Sequence, residues 1–237
     1  MRRSISIIIP AYNEEKRLPA SLIKVRDYLD ASKWEFSEVV VINDGSRDGT
    51  ADVARAAGVR LLENPGNRGK GYSVKHGMME AKGDWALYTD ADLSAPIEDL
   101  ERLWTALERE GAQIAVGSRG VDRSLVGVHQ PLAREAMGRL FNLVMRGLTG
   151  LPFRDTQCGF KLFEARVAKD VFARLQLDRF GFDVEVLFIA QRLGYKAKEV
   201  AVHWNNVQGT KVSLFQGAAA FADLVRVRWN GLWGKYS

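Results

Sequence analysis

Short apolar, β-prone runs alternate with stretches of helical spacing over the first half of the chain, and this alternation limits the fold more than any other feature. The runs are residues 4–10, 38–43, 59–63, the stretch entering Asp90, and 113–118. Between them, Leu18, Leu22, Val25 and Leu29 share one helical face. Residues 50–57 form a short helix, Val74, Met78 and Ala81 mark another, and Leu100, Leu103, Trp104 and Leu107 a fourth. Near-continuous apolar strands joined through helices predict an α/β fold: a mostly parallel sheet with helices on both faces. In such sheets the ligand sits beyond the carboxyl ends of the strands.

The loops at those ends are all polar. They hold Tyr12-Asn13-Glu14, Asp44-Gly45-Ser46, Asp90-Ala91-Asp92 and Arg119, with a glycine-rich basic loop, Asn67-Arg68-Gly69-Lys70-Gly71, after the third strand. Asp90 and Asp92 stand two residues apart where an apolar run stops, so an extended chain would aim both at one point. Two carboxylates at one point repel unless a cation lies between them. A hard divalent ion, Mg²⁺ or Mn²⁺, suits all-oxygen ligands and brings a substrate phosphate with it. A lone Asp-x-Asp also fits a solvated turn; the succession of polar loops is what favours a site.

After residue 120 the pattern changes. Residues 120–130 read as a loop. Met137, Leu140, Phe141, Val144 and Leu148 give an amphipathic helix in basic surroundings, with Arg119, Arg123, Arg134, Arg139 and Arg146 against Asp122 and Glu135. Residues 155–163 read as a loop entering a strand, 165–175 and 184–193 as helices, and 198–204 as a last strand. No linker divides the chain, so residues 1–210 are expected to form one domain. The tail, 211–237, puts Leu214, Phe215, Ala218, Phe221, Ala222, Val225, Trp229, Leu232 and Trp233 on one stripe, with Lys211, Arg226, Arg228 and Lys235 against Asp223. Such a helix suits a membrane interface, with Phe215, Phe221, Val225 and Trp229 toward the acyl boundary, and equally suits docking on the domain's own core.

A net charge of +5 fits anionic substrates or an anionic membrane, while no arginine-rich tract or zinc-type spacing speaks for nucleic acid. Cys158 is the single cysteine, which excludes an internal disulfide and fits a reducing cytosol. Pro10 and Glu14 come too early for a signal peptide, and no apolar run is long enough to span a bilayer. His76, His129 and His203 form no constellation.

The assembled motifs, Pro10-Ala11-Tyr12-Asn13-Glu14, Asn43-Asp44-Gly45-Ser46, Asn67-Arg68-Gly69-Lys70-Gly71 and Asp90-Ala91-Asp92, resemble those of family 2 glycosyltransferases of the GT-A fold. Gly117-Ser118-Arg119, residues 154–163 and Phe182-Asp183-Val184-Glu185 most resemble dolichyl-phosphate β-glucosyltransferases. The resemblance covers residues 4 to about 205. It implies transfer of a hexose from a nucleoside-diphosphate sugar, UDP before GDP, to a polyprenyl or dolichyl phosphate at the cytosolic face of a membrane. Eukaryotic members usually carry an N-terminal anchor; its absence from this sequence points to a prokaryotic polyprenyl-phosphate enzyme.

The resemblance also implies roles. Asp92 and Asp90 hold the metal. Pro10 and Tyr12 flank the base, and Asp44 accepts from a base N–H, unless Asp44 is only a turn or a cap before Thr50. Asn13, Glu14, Gly45, Arg68, Lys70 and Ala91 complete the nucleotide-sugar site. A lipid monophosphate is already mostly a dianion at neutral pH, so a cationic cradle matters more than a strong base. Arg119, Arg134 and Arg139 are the candidates for that cradle, or else a solvated basic face. Asp155 orients acceptor or sugar or serves as a weak base; Asp183 and Glu185 are structural, binding sugar hydroxyls or neighbouring arginines. A saccharide or protein hydroxyl acceptor would instead need a true base, and a non-catalytic nucleotide-sugar binding module would not need Asp90 and Asp92.

Overall fold

The structure, a computed structural model, describes residues 2–128, 132–205 and 214–236. The side chains of Arg134, Arg139, Leu214, Phe215 and Ala218 lie outside the described part, as do residues His129 and Lys211.

The first half alternates as expected: β1 (Arg2–Ala11), α1 (Leu18–Ala31), β2 (Trp34–Asn43), α2 (Thr50–Ala56), β3 (Arg60–Glu63), α3 (Lys70–Glu80), β4 (Trp85–Thr89), α4 (Leu100–Glu110) and β5 (Ile114–Ser118). Local chemistry explains several boundaries. Pro19 sits in the first turn of α1, where a missing N–H leaves no bond unmade. Gly111 ends α4 in the left-handed region, φ 59°, its N–H returning to the Leu107 carbonyl.

β1 lies at the centre of the parallel part, paired with β2 on one side and β4 on the other. Ile5, Ile7, Ile8 and Ile9 are wholly buried, each stabilising the fold by roughly 2 kcal/mol. Alternation sends Ile8, Val40, Ile42 and Tyr88 to one face, under α3, and Ile5, Ile7, Ile9, Val41 and Leu87 to the other, against α1 and α4.

The second half departs from a simple repeat. It contains β6 (Val126–Val128), α5 (Leu132–Thr149), β7 (Phe160–Glu164), α6 (Ala165–Ala173), α7 (Phe182–Arg192), β8 (Ala197–Ala201), β9 (Trp204–Asn205) and α8 (Leu214–Leu232). The seven-stranded sheet runs β3-β2-β1-β4-β7-β5-β8. β7 is inserted antiparallel between β4 and β5, while the other pairings are parallel. Its reversed direction places its entrance, Cys158-Gly159, at the carboxyl ends of β4 and β5.

Two expectations need correction. The stretch 120–130 is not only loop: a 3₁₀ turn, Arg123–Leu125, leads into β6, which pairs with β9 in a small second sheet. Three residues are too few to show a period. The last strand, expected at 198–204, instead breaks after Ala201, because β8 leaves β5 there and Trp204 joins β6.

The tail helix docks. Phe221, expected to face outward, meets Phe141 of α5 edge-on at 5.3 Å. Leu224 and Val227 are buried, and Gly231 lies so close to Phe188 of α7 that a Cβ would come within 2.6 Å of its ring. Beyond the helix, buried Tyr236 donates to Glu185 Oε1 at 2.6 Å. The opposite side remains apolar and open: Val225, Trp229, Leu232 and Trp233 are exposed, as are Met137, Leu140 and Leu143 of α5. No helix among the described residues is long and apolar enough to cross a membrane.

Candidate active site

A cleft of about 370 Å³ opens at the carboxyl ends of β1, β2 and β4. Pro10, Tyr12, Glu14, Asp44, Lys70, Asp90, Ala91 and Asp92 line it, together with Arg17, Asn67, Arg179 and Phe180.

On the β2 side, Asp44 is 4% exposed, and its carboxylate accepts from Asn64 Nδ2 (2.8 Å), Arg68 N (2.9 Å) and Gly69 N (2.8 Å). It therefore shapes the glycine-rich loop. The alternative of a cap for the helix at Thr50 is not realised; Asp48 Oδ1 takes the Thr50 N–H at 3.1 Å. Gly45 has φ 68°, and a Cβ there would come within 2.5 Å of the Gly66 carbonyl carbon. Both the torsion and the space demand glycine. Asn64 Oδ1 also accepts from His76 Nδ1 at 2.8 Å, which gives His76 a place behind the loop.

Asn13, in the left-handed region at φ 53°, ties the first loop to the second: its N–H donates to Ser46 Oγ and its Oδ1 accepts the Arg47 N–H. Neither Asn13 nor Gly45 nor Arg68 lines the cleft. The Arg68 guanidinium lies 4.9 Å over the Tyr72 ring instead.

Asp90 and Asp92 both line the cleft, but not by strand alternation. β4 stops at Thr89, and the chain turns, with Leu93 N–H returning to the Asp90 carbonyl at 3.1 Å. Asp90 Oδ1 accepts Lys70 Nζ at 2.6 Å. Asp92 Oδ1 accepts both the N–H and the hydroxyl of Ser94, and its Oδ2 lies 3.8 Å from Arg17. Arg17 in turn is paired with Glu14 at 2.6 Å. Arg17 was not singled out in the sequence; its position three residues after Glu14, at the start of α1, is the signal that pointed there. Burial opposes the charge of Lys70, but Asp90 and then Asp183 outweigh it and hold the ammonium protonated.

Among the described residues no third His, Cys, Asp or Glu joins Asp90 and Asp92 to make a closed metal cage. Two carboxylates at the floor of an open cleft fit a magnesium- or manganese-type ion that takes its remaining ligands from phosphate and water.

Beside the cleft, Arg119 and Asp155 form a two-pronged pair: Nε to Oδ2 at 2.6 Å and a terminal nitrogen to Oδ1 at 2.9 Å, with Arg119 N–H also on Oδ2. The antiparallel entry of β7 makes this possible, since it carries residues 155–159 back past the end of β5. Burial alone pushes the Asp155 carboxyl up; the Arg119 charge and hydrogen bonds more than offset it, leaving it below its ordinary range. The Arg119 guanidinium also lies 5.3 Å over the Trp204 ring.

Behind the cleft, Asp183 and Glu185 are buried. Asp183 Oδ1 accepts Lys161 Nζ at 2.5 Å and the Tyr88 hydroxyl at 2.7 Å. Lys161, wholly buried, also donates to the Cys158 carbonyl at 2.6 Å. Glu185 accepts Leu177 N–H at 2.7 Å as well as Tyr236. Their partners are thus a lysine, tyrosines and backbone, not arginines.

The family model for glycosyl transferase family 2 matches residues 6–172. The chain belongs to that family. The transferase is 36% identical to the dolichyl-phosphate beta-glucosyltransferase of Dictyostelium discoideum, over 97% of this chain and 75% of the relative. It is 37% identical to the Drosophila melanogaster protein of that name, covering 89% and 70%, and 33% identical to that of Homo sapiens, covering 99% and 78%. Among solved structures it shares its fold with glucosyl-3-phosphoglycerate synthase from Mycobacterium tuberculosis in complex with UDP: TM-score 0.70, 20% identity, 96% and 80% covered. Mannosyl-3-phosphoglycerate synthase from Rubrobacter xylanophilus gives a TM-score of 0.73 at 18% identity, covering 98% and 75%. The transferase therefore has the α/β architecture expected from its motifs.

Proposed function

We propose that this glycosyltransferase moves a hexose, glucose first, from UDP to a polyprenyl or dolichyl phosphate held at the cytosolic face of a membrane. The observation that carries the reading is the cleft itself. It joins a carboxylate pair, a protonated lysine and an open strand-end pocket of about 370 Å³, in a chain whose curated relatives are named for transfer to dolichyl phosphate.

Asp44 offers a carboxylate edge to a base N–H, with Pro10 and Tyr12 forming the walls. Asp90 and Asp92 would hold Mg²⁺ or Mn²⁺, which supplies charge neutralisation of the departing diphosphate. Glucosyl-3-phosphoglycerate synthase from Mycobacterium tuberculosis, which shares the fold, was crystallised with Mn²⁺ and UDP-glucose. Lys70 holds Asp90 in position and adds positive charge where the diphosphate leaves. Arg119 directs its free guanidinium edge toward the acceptor phosphate, with Arg134 and Arg139 on α5 as further members of the cradle. A phosphate dianion needs no strong base. The state of Asp155, held ionised and bound to Arg119, suits orientation and not proton removal, which disfavours a hydroxyl acceptor.

The direct test offers UDP-glucose, UDP-galactose and GDP-mannose with a short polyprenyl phosphate and Mg²⁺. Lipid-linked glucose from UDP-glucose is the expected product; release of sugar to water alone, or product only with a saccharide acceptor, overturns the reading. Asp92→Ala should abolish the divalent-ion dependence of UDP binding in calorimetry, and unchanged dependence would remove Asp92 from the metal site.

A further inference from the structure

The chain between α6 and α7 crosses the mouth of the cleft as a strap. Leu177, Asp178, Arg179 and Phe180 lie directly over the glycine-rich loop. Tyr72 N–H donates to the Asp178 carbonyl at 3.0 Å, and a Cβ on Gly69 or Gly71 would come within 2.5 Å of a strap carbonyl. Glycine at both positions is what lets the strap approach.

Arg179 and Phe180 line the cleft on the same side as Lys70. The other two cleft cations are committed: Arg17 to Glu14, and Lys70 to Asp90. The Arg179 guanidinium is exposed and makes no hydrogen bond or ion pair with any described residue. It is therefore a cation lining the same cleft as two carboxylates and a lysine, with its own donors unused, which is the arrangement that a diphosphate completes.

The far side of the strap rests on the tail. Gly181 packs directly against Asp223 of α8: a Cβ on Gly181 would come within 2.4 Å of that carboxylate. Gln176 and Leu177 donate their N–H groups to Glu185 Oε2, while Glu185 Oε1 takes the Tyr236 hydroxyl. The strap is thus clamped between α3 and the C-terminal helix.

We propose that Arg179 is a ligand of the donor's diphosphate and that the C-terminal tail, through Asp223 of α8 and Tyr236 beyond it, positions the strap that carries it. This rests on the nucleotide-sugar reading above and extends it by assigning the tail a task in donor binding. Arg179 is the binding residue; Tyr236 acts only through the strap and is a positioning residue. The motifs that identified the cleft all lie in or near strand-end loops, and nothing in the sequence linked residues 179 and 236.

The test uses the full chain with Mg²⁺: UDP binding by calorimetry and uridine binding by ligand-observed NMR, for wild type, Arg179→Gln, Tyr236→Phe and the double variant. Arg179→Gln should weaken UDP about tenfold or more while leaving uridine unchanged, because the lost contact is to phosphate. Tyr236→Phe should weaken UDP severalfold alone and have no further effect once Arg179 is gone. Arg179→Lys should recover part of the affinity. Equal UDP binding by Arg179→Gln overturns the ligand assignment, and an additive Tyr236→Phe effect in the double variant overturns the positioning role. Absence of UDP binding by folded wild type would instead overturn the nucleotide reading, and this inference with it.

Discussion

Asp155 is buried and grips the Arg119 guanidinium with both carboxylate oxygens. Its place next to a run ending in Cys158-Gly159 was readable, but its two-pronged bond to Arg119, 36 positions earlier, depends on a strand reversal. Because the folded carboxyl lies below its unfolded value of about 3.9, the pair's contribution is present above that pH and is lost as pH falls through the folded value. Asp155→Asn leaves a largely enclosed guanidinium unpaired, so unfolding free energy at pH 7 should drop by about 3 kcal/mol. The gap from wild type should stay constant down to about pH 4 and close only below it; a gap that closes between pH 8 and 6 would refute the pairing. Cys158 gives a second check at this scale. Burial, then the Asp155 charge, pushes its thiol up to about 12. An aromatic disulfide reagent at pH 8 should therefore label the chain only in denaturant, and prompt labelling of native protein would contradict the packing.

At the scale of elements, the parallel half of the sheet was legible because its strands are continuous apolar runs and its helices keep their period. β7 was legible as a strand but not as an antiparallel one, since apolar periodicity carries no direction. That direction decides the site. Thr89 of β4 stands opposite Phe160 of β7, and Asp90 N–H donates to the Gly159 carbonyl at 3.2 Å. A Cβ on Gly159 would come within 2.2 Å of Asp90 Oδ2. Gly159→Ala should therefore displace the Asp90 carboxylate, break its bond to Lys70 and cut transfer by tenfold or more (about 1.4 kcal/mol in the barrier). Gly138→Ala, on the face of α5 with nothing within 4 Å, serves as the control. Comparable activity of the two variants would mean that the contact between β7 and the carboxylate loop does not set the site. The Asp-x-Asp pair illustrates the converse: both members line the cleft, although the extended-strand reason for expecting so fails at the turn after Thr89.

On the scale of the molecule, the tail was read as either a membrane helix or a core helix; one face of α8 docks on the core, and the other is left apolar and exposed. Leu224, Val227 and Tyr236 are buried; at roughly 2 kcal/mol each they amount to much of a typical stability of about 5–15 kcal/mol. Deleting the helix would therefore unfold the transferase and report nothing about lipid. Substitutions on the open face avoid that problem. Trp229 and Trp233 are 58% and 69% exposed and stand 5.9 Å apart, next to Val225 and Leu232, with Arg226, Arg228 and Lys235 on the same segment. Tryptophans beside basic residues suit the headgroup boundary of an anionic bilayer. A Trp229→Ser/Trp233→Ser variant removes apolar surface that the fold does not use, so its melting temperature should stay within about 3 °C of wild type. Its binding to vesicles of phosphatidylcholine with phosphatidylglycerol should weaken about tenfold or more. Transfer to a long polyprenyl phosphate in those vesicles should fall in parallel, while transfer to a short, water-soluble polyprenyl phosphate stays unchanged. Equal vesicle binding by the variant, or none by wild type, would show that this face does not meet the lipid. A fall on both acceptors would show that the two tryptophans act on the site itself, through the strap that α8 supports.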